Sequence, residues 1–428
     1  MIRKSFLSLL LAVPGLAVAE PLPDPLTLDH ALSLAANHPD VAVAEARYET
    51  SKAEADLVDA QNGFRVELYL NPRYADPYND DSDSGYINDS MGSLSVRKRV
   101  YDFGRNSSKY SAARSRSLAH EAELLNTGKL AQLRVMRYFF DVLLADLRYM
   151  YDNEFMAHKY VRFDKARERK NLGQLSEVDV LEHETVYQDA LIIRTRSQAA
   201  QSNTRARLAA ILGRSGELPA NVMRPEMKAV VARELPEYQK TLEEVRQHSK
   251  LLAAARLELA GAEADHVAAR ARRYPVLDAA VSANRYEREI GNRDSGSVEL
   301  QLRVPIYQGG LASAEIASAD ARVRQASARL RAVELQLEQH VLDLVQRVEV
   351  LKVRVRAARV RLDYRDLVLD RNRALYEMEA QTTLGDSMAG VTEAQWQAAE
   401  AEFELVLAWA ELDALRGRQF DQFQEEGK

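Results

Sequence analysis

The organisation of this chain is set by residues 311–384, LASAEIASADARVRQASARLRAVELQLEQHVLDLVQRVEVLKVRVRAARVRLDYRDLVLDRNRALYEMEAQTTL. The stretch contains neither Gly nor Pro and is several times longer than the average globular helix of about 11–12 residues. Apolar or small side chains recur at intervals of three and four, with a single repeated four, at Leu330, Val333, Leu337, Val341, Leu344, Val348, Leu351, Val355, Ala358 and Leu362. This spacing is typical of a coiled-coil seam, so the stretch is predicted to be one long helix packed on a partner helix.

A second stretch of the same kind extends from Asp102 to Asn171. It contains no Pro, and its apolar residues are again three and four apart, at Leu133, Met136, Phe140, Leu143, Leu147 and Met150. The residues before the two rods also correspond, because Tyr101-Asp102-Phe103-Gly104 matches Tyr307-Gln308-Gly309-Gly310. The chain is therefore predicted to be a tandem duplication, and a repeat of this kind has to be recognised before a fold is assigned.

Four segments follow from this interpretation. Residues 1–19 have the basic start, apolar core and small-residue end of a secretory signal peptide. The first repeat is predicted to occupy residues 20–230 and the second residues 231–415, with the Pro- and Gly-rich linker falling where the first repeat ends. Residues 416–428 are polar and are predicted to form a C-terminal tail.

The composition excludes several classes of function. The formal net charge is −6 and the Lys and Arg residues are dispersed along the predicted helices, which gives no support to nucleic-acid binding. Cysteine is absent, which excludes disulfides, thiolate metal sites and an N-terminal lipidated Cys. The eight His residues are scattered without the spacing of a metal site, and no phosphate loop, dinucleotide fingerprint or nucleophile elbow occurs. We therefore expect no enzyme activity, no catalytic residue, no cofactor and no bound metal.

Each repeat contains one stretch in which the hydrophobic period changes from helical to two. These stretches are predicted to be β-hairpins near residues 64–102 and 275–307. The alternating apolar residues are Val66, Leu68, Leu70, Leu94 and Val96 in the first hairpin, and Leu277, Ala279, Val281, Val298, Leu300, Leu302, Val304 and Ile306 in the second. Alternation alone fits either a half-buried soluble sheet or strands that span lipid as part of a barrel. In the second repeat, one helix is predicted over Leu242–Arg272, before the hairpin, and another over Val391–Leu415, at the end of the repeat.

The order of helix, hairpin, very long helix, reversal and helix, given twice, resembles the TolC family of outer-membrane channel proteins. The resemblance covers the whole chain after the signal peptide. It is carried by Val304-Pro305-Ile306-Tyr307-Gln308-Gly309-Gly310, which is similar to the family's strand-to-helix corner, and by a weaker copy at Val100–Gly104. The segment Leu172-Gly173-Gln174-Leu175-Ser176-Glu177-Val178-Asp179-Val180 is similar to the family's reversal at the periplasmic tip.

The resemblance implies a mainly α fold with a β-barrel portion. Long coiled-coil helices would form a periplasmic tunnel, and four strands per chain would contribute to one twelve-stranded barrel in a homotrimer. Such a protein is a passive conduit in the outer membrane of a Gram-negative bacterium, with a long periplasmic portion in contact with water and strands in contact with outer-membrane lipid. It serves a tripartite efflux pump or type I secretion system, is opened by a periplasmic membrane-fusion adaptor, and works indirectly with an inner-membrane transporter.

The same resemblance assigns roles to three groups of residues. The strand-to-helix corners would be formed by Tyr101, Gly104, Pro305, Tyr307, Gly309 and Gly310, and the adaptor contact by Leu172, Gly173, Leu175 and Ser176. The pore constriction would be formed by Asp386 and Asp179, although the alternative that both residues cap their helices stays open. This chain departs from the family pattern in having Ala380 where the second tip has glycine, and Ala389 where a second aspartate often follows, which leaves one acidic ring instead of two.

Two other classes of protein remain as alternatives at this point. A periplasmic adaptor with a coiled-coil hairpin would explain one helical hairpin but not two. A structural coiled-coil protein of the cell envelope would explain the long helices but not the reversals near Gly173 and Gly385, which fold each rod back on itself.

Overall fold

The computed structural model describes residues 22–76, 85–217, 219–287, 293–378 and 384–418. The predicted signal peptide at residues 1–19, the tail from residue 419 and the second tip, with Ala380, lie outside these described residues. The helices are α1 (Leu28–Ser33), α2 (Pro39–Ala60), α3 (Arg105–Asn171), α4 (Glu177–Ile211), α5 (Lys228–Ala232), α6 (Tyr238–His248), α7 (Lys250–Ala271), α8 (Leu311–Glu377) and α9 (Gly385–Leu415). The strands are β1 (Arg65–Asn71), β2 (Tyr74–Ala75), β3 (Ile87–Asn88), β4 (Met91–Tyr101), β5 (Val276–Tyr286) and β6 (Gly296–Arg303).

The two predicted rods are the helices α3 and α8, and each has 67 residues. The predicted seam of α8 is confirmed, because its central residues are buried, namely Leu337, Val341, Leu344, Val348, Leu351 and Val355. The partners are in the same chain: α8 packs on α6, α7 and α9. In the seam of α3, Met136, Phe140 and Leu143 are buried, whereas Met150 is exposed. Within the described residues, no helix combines the length and apolar character needed to cross a membrane.

The core lies midway along the bundle, where α3 and α9 meet. The rings of Phe140 and Phe403 stack there with their centroids 4.5 Å apart. The C-terminal end of α9 is held by an ion pair, since the Arg233 guanidinium donates to the Asp413 carboxylate at 2.8 Å and both side chains are largely buried. The helix α3 also packs on α2, α4 and α7, so it contacts elements of both repeats.

The two predicted hairpins form one antiparallel sheet with the strand order β1-β4-β5-β6. The central pair β4 and β5 joins the first repeat to the second, with Val96 opposite Val281 and Leu94 opposite Ala283. The register places all the predicted apolar residues of the four strands on one face, since Leu68 is opposite Leu94 and Val281 is opposite Val298. The other face is polar and hydrogen-bonded across strands, as in the Ser93 hydroxyl, which donates to the Asn284 side-chain oxygen at 2.6 Å.

Four predicted element boundaries were wrong. The second rod, predicted to extend to Leu384, ends as the helix α8 at Glu377. The helix predicted over Leu242–Arg272 is divided at Ser249, whose backbone is extended and whose hydroxyl accepts from the Leu252 N–H at the start of α7. The strand predicted to include Val304 and Ile306 ends at Arg303, because Pro305 has no N–H to give to a β-ladder. The last helix begins at Gly385 and not at Val391.

Candidate functional site

The reversal between α3 and α4 is a tight turn that ends one helix and starts the next. Gly173 adopts a left-handed backbone with φ of 74°, and its N–H donates to the Lys170 carbonyl at 2.8 Å. The Gln174 N–H donates to the Arg169 carbonyl at 2.9 Å, which completes a Schellman motif. An added Cβ at Gly173 would meet no atom within 4 Å, so the turn requires glycine for its backbone conformation and not for space.

Helix α4 is started by a capping box. The Asp179 N–H donates to the Ser176 hydroxyl at 3.2 Å, while the Ser176 N–H donates to the Asp179 carboxylate at 3.1 Å. The side-chain hydrogen bond from the Ser176 hydroxyl, followed by the one from its backbone, holds the pKa of the Asp179 carboxyl below its usual value. A capping role is therefore seen at Asp179. Its role in the pore constriction stays a prediction.

The surface of this first tip is apolar and open to solvent. Leu172 and Val178 are 71% and 74% exposed, Leu181 is also exposed, and Leu175 is half-buried. Exposed apolar side chains on a loop held by two helix caps form a rigid surface that a partner can cover. This geometry gives the predicted adaptor contact a defined surface. The assignment of that contact to Leu172, Gly173, Leu175 and Ser176 stays a prediction.

Asp386 lies in the first turn of α9 and is surrounded by cations from α3. Its carboxylate accepts a hydrogen bond from Arg162 at 3.0 Å. The same carboxylate lies 2.8 Å from His158 Nε2 and 3.7 Å from Lys159 Nζ. The residue that precedes α9 is Leu384, whose side chain makes no cap hydrogen bond. Within the described residues, the Asp386 carboxylate therefore pairs α9 with α3, and about half of its side chain is exposed.

The close approach of α3 to α9 depends on Gly385. A Cβ built at Gly385 would lie 2.2 Å from His158 Nδ1, a distance at which the imidazole must move. Burial in this contact lowers the pKa of His158, against the opposing effect of the Asp386 carboxylate. The helices α8 and α9 are also joined by Asn372 near the end of α8, whose amide donates to the Ser387 hydroxyl at 2.6 Å.

The structure keeps the two predicted constriction residues apart within one chain. Asp179 bonds to Ser176 in its own turn, whereas Asp386 bonds to residues of α3. Among the described residues no hydrogen bond or ion pair joins the two carboxylates. Sequence reasoning missed His158 and Arg162 as partners of Asp386, and the only signal in the sequence was the glycine beside Asp386, since a helix that starts with glycine permits close packing.

The predicted strand-to-helix corners lie where β4 meets α3 and where β6 leads to α8. Gly104 and Gly310 directly precede the helices and have φ of 81° and 83°. Gly309 also has a positive φ, and the side chain of Tyr307 is exposed. Pro305 follows the end of β6.

Aromatic packing holds the first corner. Phe103 is a non-glycine residue with φ of 56°. Its ring stacks on Tyr274 from the second repeat with centroids 5.1 Å apart, and Tyr101 packs edge-on against it at 4.8 Å. The Asn106 N–H donates to the Asp102 carboxylate, which supports the first turn of α3. Tyr274 was not among the predicted corner residues, because its contact with Phe103 joins positions far apart in the chain.

The polar side chains of the described residues provide no group of three or more His, Asp or Glu that could hold a metal ion. What the structure provides instead is a set of surfaces: an apolar sheet face, a polar sheet face, an apolar tip and a charged contact between long helices.

Comparison with known structures identifies the same fold in outer-membrane proteins. VceC from Vibrio cholerae is 18% identical, with 92% of this chain and 96% of that chain covered at a TM-score of 0.73. The CmeC outer membrane channel of Campylobacter jejuni is 11% identical, with 94% and 87% covered at a TM-score of 0.76. The open MtrE outer membrane channel of Neisseria gonorrhoeae is 16% identical, with 91% and 89% covered at a TM-score of 0.64. Among curated proteins, none matches this sequence significantly.

The predicted fold class is confirmed by these structures: a mainly helical chain built on long paired helices, with a four-stranded β portion. A sequence profile described as outer membrane efflux protein matches residues 32–214 and 241–418, one range in each predicted repeat. The matched ranges make up most of the chain and include both long helices and all four strands of the sheet. The chain belongs to the outer membrane efflux protein family.

Proposed function

We propose that three copies of this chain close around a common axis to form one passive conduit that a periplasmic adaptor opens. Membership of the family makes the chain an outer-membrane efflux channel with a periplasmic portion. The number of copies, the adaptor contact and the service of an efflux pump or a type I secretion system are the parts proposed here. The observation that carries the proposal is the sheet, with its two chemically different faces and two free edges.

The apolar face of the sheet is uncovered. Val66, Val298 and Leu300 are 63%, 82% and 70% exposed, although strand residues of this kind are buried in soluble proteins. A contiguous exposed apolar face indicates a surface for lipid or for another protein. Strands of 7 to 11 residues suit a tilted span of the hydrocarbon layer, for which about 9–11 residues are needed.

The four-stranded sheet of a single chain is also not stable in lipid by itself. Within the described part of the chain, β1 and β6 are edge strands, each paired on one side only. Unpaired backbone N–H and C=O groups in hydrocarbon cost several kcal/mol each, so only a closed barrel is stable there. Further copies that pair β1 of one chain with β6 of the next would remove these edges, and three copies would give the twelve strands that the resemblance implies.

The helix α8 gives a second, independent argument for assembly. On the side away from its buried seam, Val350, Val353, Ala357, Val360, Tyr364 and Leu367 are exposed. These residues are again three and four apart, the spacing of a coiled-coil seam. The intrachain partners of α8 cover the other seam, so a helix of a neighbouring copy is the partner that this second seam fits.

Intersubunit crosslinking tests the proposal directly, because the natural chain has no cysteine. Leu68→Cys and Leu300→Cys are combined in one chain, which puts one thiol on the exposed face of each edge strand, and membranes are treated with a flexible bis-maleimide. We expect dimers and trimers on denaturing gels, since closure places β1 of one copy beside β6 of the next.

The matched control combines Leu94→Cys with Ala283→Cys, which are directly opposite across β4 and β5 in one chain. This control is expected to react within the chain and to migrate as a monomer. If the edge-strand pair also gave only monomers while the control pair reacted, closure through β1 and β6 would be refuted.

A further inference from the structure

A polar cavity of about 450 Å³ lies where the sheet meets the first long helix. Its walls are the end of α2, the polar face of all four strands and the first turns of α3. Seven Lys or Arg side chains line it, against three carboxylates. Lys98 is left out of the comparison of cations with carboxylates, because its ammonium donates to the Asn62 carbonyl. The remaining cations still exceed the carboxylates two to one.

The strand cations of this cavity are placed beside one another. Arg65 and Arg97 are directly opposite across β1 and β4, and Ala280 is the neighbour of Arg97 in β5. Like charges directly opposite in a sheet are destabilising. By contrast, Arg99 is opposite Asp278 and forms an ion pair with an Nε–Oδ1 distance of 3.0 Å. The pair Arg65 and Arg97 therefore lacks the compensation that the next pair has.

The cavity's cations on helix α3 are also close to one another and lack an ion pair within the described residues. Arg105 and Lys109 are four residues apart on α3, where like charges repel. The Arg105 Nε is buried, and among the described residues it has no hydrogen-bond acceptor. Burial lowers the pKa of Lys109, and the neighbouring charges of Arg105, Arg272 and Arg99 lower it further, against the opposing effect of the Asp102 carboxylate. In the part of the chain that the structure describes, Arg97, Arg105 and Lys109 form no ion pair.

We propose that this cavity binds compact multivalent oxyanions, either phosphates or polycarboxylates, between Arg97, Arg105 and Lys109. Guanidinium groups bind such oxygens with paired, charge-assisted hydrogen bonds, and a bound anion would offset the repulsion between Arg105 and Lys109 and between Arg97 and Arg65. The proposal rests on the proposed function in one respect: when lipid covers the apolar face of the sheet, the polar face and its cavity open to the water inside the channel. The ligand is therefore a soluble anion, or an anionic group of the cargo, and not a lipid headgroup.

Isothermal titration of the detergent-purified protein with sodium pyrophosphate, at constant ionic strength set with chloride, tests the site. We expect saturable binding that is weakened by about tenfold in Arg97→Gln and in Lys109→Gln, the effect of losing one charge-assisted hydrogen bond. Arg97→Lys retains the charge and should bind more tightly than Arg97→Gln. Gel filtration of each variant verifies that it is folded and assembled as the parent is.

The control is Arg285→Gln, which removes the same charge from the opposite face of the same sheet, since Arg285 is opposite Gly92. Its affinity for pyrophosphate should equal that of the parent. Absence of saturable binding in the parent, or an equal loss in Arg285→Gln, would overturn the proposed site.

Recordings in planar bilayers separate this proposal from the proposed function. If the parent protein conducted ions but did not bind pyrophosphate, the anion site would be wrong and the channel would stand. If it bound pyrophosphate with the expected response to Arg97→Gln but formed no conducting channel, the conduit would be wrong and the site would stand.

Discussion

Gly173 and Gly128 show how one residue type has opposite effects at two positions of the same helical hairpin. Neither position has an atom within 4 Å of an added Cβ, so steric clash affects neither substitution. Gly173 has φ of 74°, a conformation that costs an ordinary residue about 1–2 kcal/mol, whereas Gly128 lies inside α3, where glycine is less stable than alanine by about 0.5–1 kcal/mol.

Gly173→Ala is therefore expected to lower the temperature at which the proposed trimer dissociates, and Gly128→Ala to raise it. Dissociation is measured by the shift from trimer to monomer on semi-denaturing gels over a temperature series. Equal effects of the two substitutions would show that the left-handed turn at Gly173 is not maintained in the assembled protein.

Single residues also mark the limit of what this sequence predicted. Gly173 and Ser176 indicate a turn in the sequence, because the conformation of each is determined by residues close to it in the chain. Tyr274 and His158 gave no such signal, since each acts through a partner far away in the chain. A buried imidazole beside Asp386 follows from how α3 and α9 pack, and local patterns do not contain that information.

At the scale of elements, periodicity predicted the long helices and strands well. The seam of α8 repeats through many turns, so its burial was predictable before its partner was known. The break at Ser249 was not predicted, because Ser is tolerated inside helices and becomes a cap only where the packing bends the chain. The end of the strand before Pro305 was predictable, because proline has no N–H for a β-ladder. It was missed because the alternation of apolar side chains continues through Val304 and Ile306.

The contact of α3 with α9 is expected to make the stability depend on pH through His158. Burial lowers the pKa of His158 in the folded protein, and Arg162, Lys159 and Lys165 lower it further, against Asp386. An unfolded histidine has a pKa of about 6.5, so on acidification the unfolded chain takes up this proton before the folded chain does. The contribution is therefore fully present above about pH 6.5 and decreases as the pH falls below that value.

His158→Gln should reduce this dependence, since glutamine fills similar space and does not titrate. The temperature of trimer dissociation is measured at pH 7.5 and pH 5.5 in the parent and the variant. The decrease between the two pH values should be smaller in His158→Gln. An unchanged decrease would mean that other groups cause the acid sensitivity and that His158 does not titrate in this contact.

For the whole molecule, duplication of the sequence does not make the two halves equivalent. The helix α3 packs on α2, α4, α7 and α9, whereas α8 packs on α6, α7 and α9. The two hairpins become one sheet through the pairing of β4 with β5. This asymmetric packing was not predictable from the sequence, because it depends on contacts between distant residues.

The asymmetry extends to the two residues of the predicted constriction. Asp179 bonds within its own turn, whereas Asp386 is paired with Arg162, His158 and Lys159 of the first repeat. In a trimer, three Asp386 carboxylates would each be partly neutralised by cations of their own chain. If they line the narrowest part of the pore, their effect on ions should depend on those cations as much as on the carboxylates.

Two substitutions at this contact should therefore change the block of the channel by a trivalent cation in opposite directions. Asp386→Asn removes the acidic ring and should weaken the block, whereas Arg162→Gln removes the nearest neutralising charge, 3.0 Å away, and should strengthen it. Asp179→Asn tests the other predicted constriction residue, and it should weaken the block less than Asp386→Asn does, because the Asp179 carboxylate is held by Ser176 at the start of α4. The measurement is the blocking concentration in planar bilayers for the parent and the three variants. A pore that does not pass Asp386 would give the same value in Asp386→Asn and Arg162→Gln as in the parent, since charges far from the ion path are screened within about 8–10 Å at physiological salt.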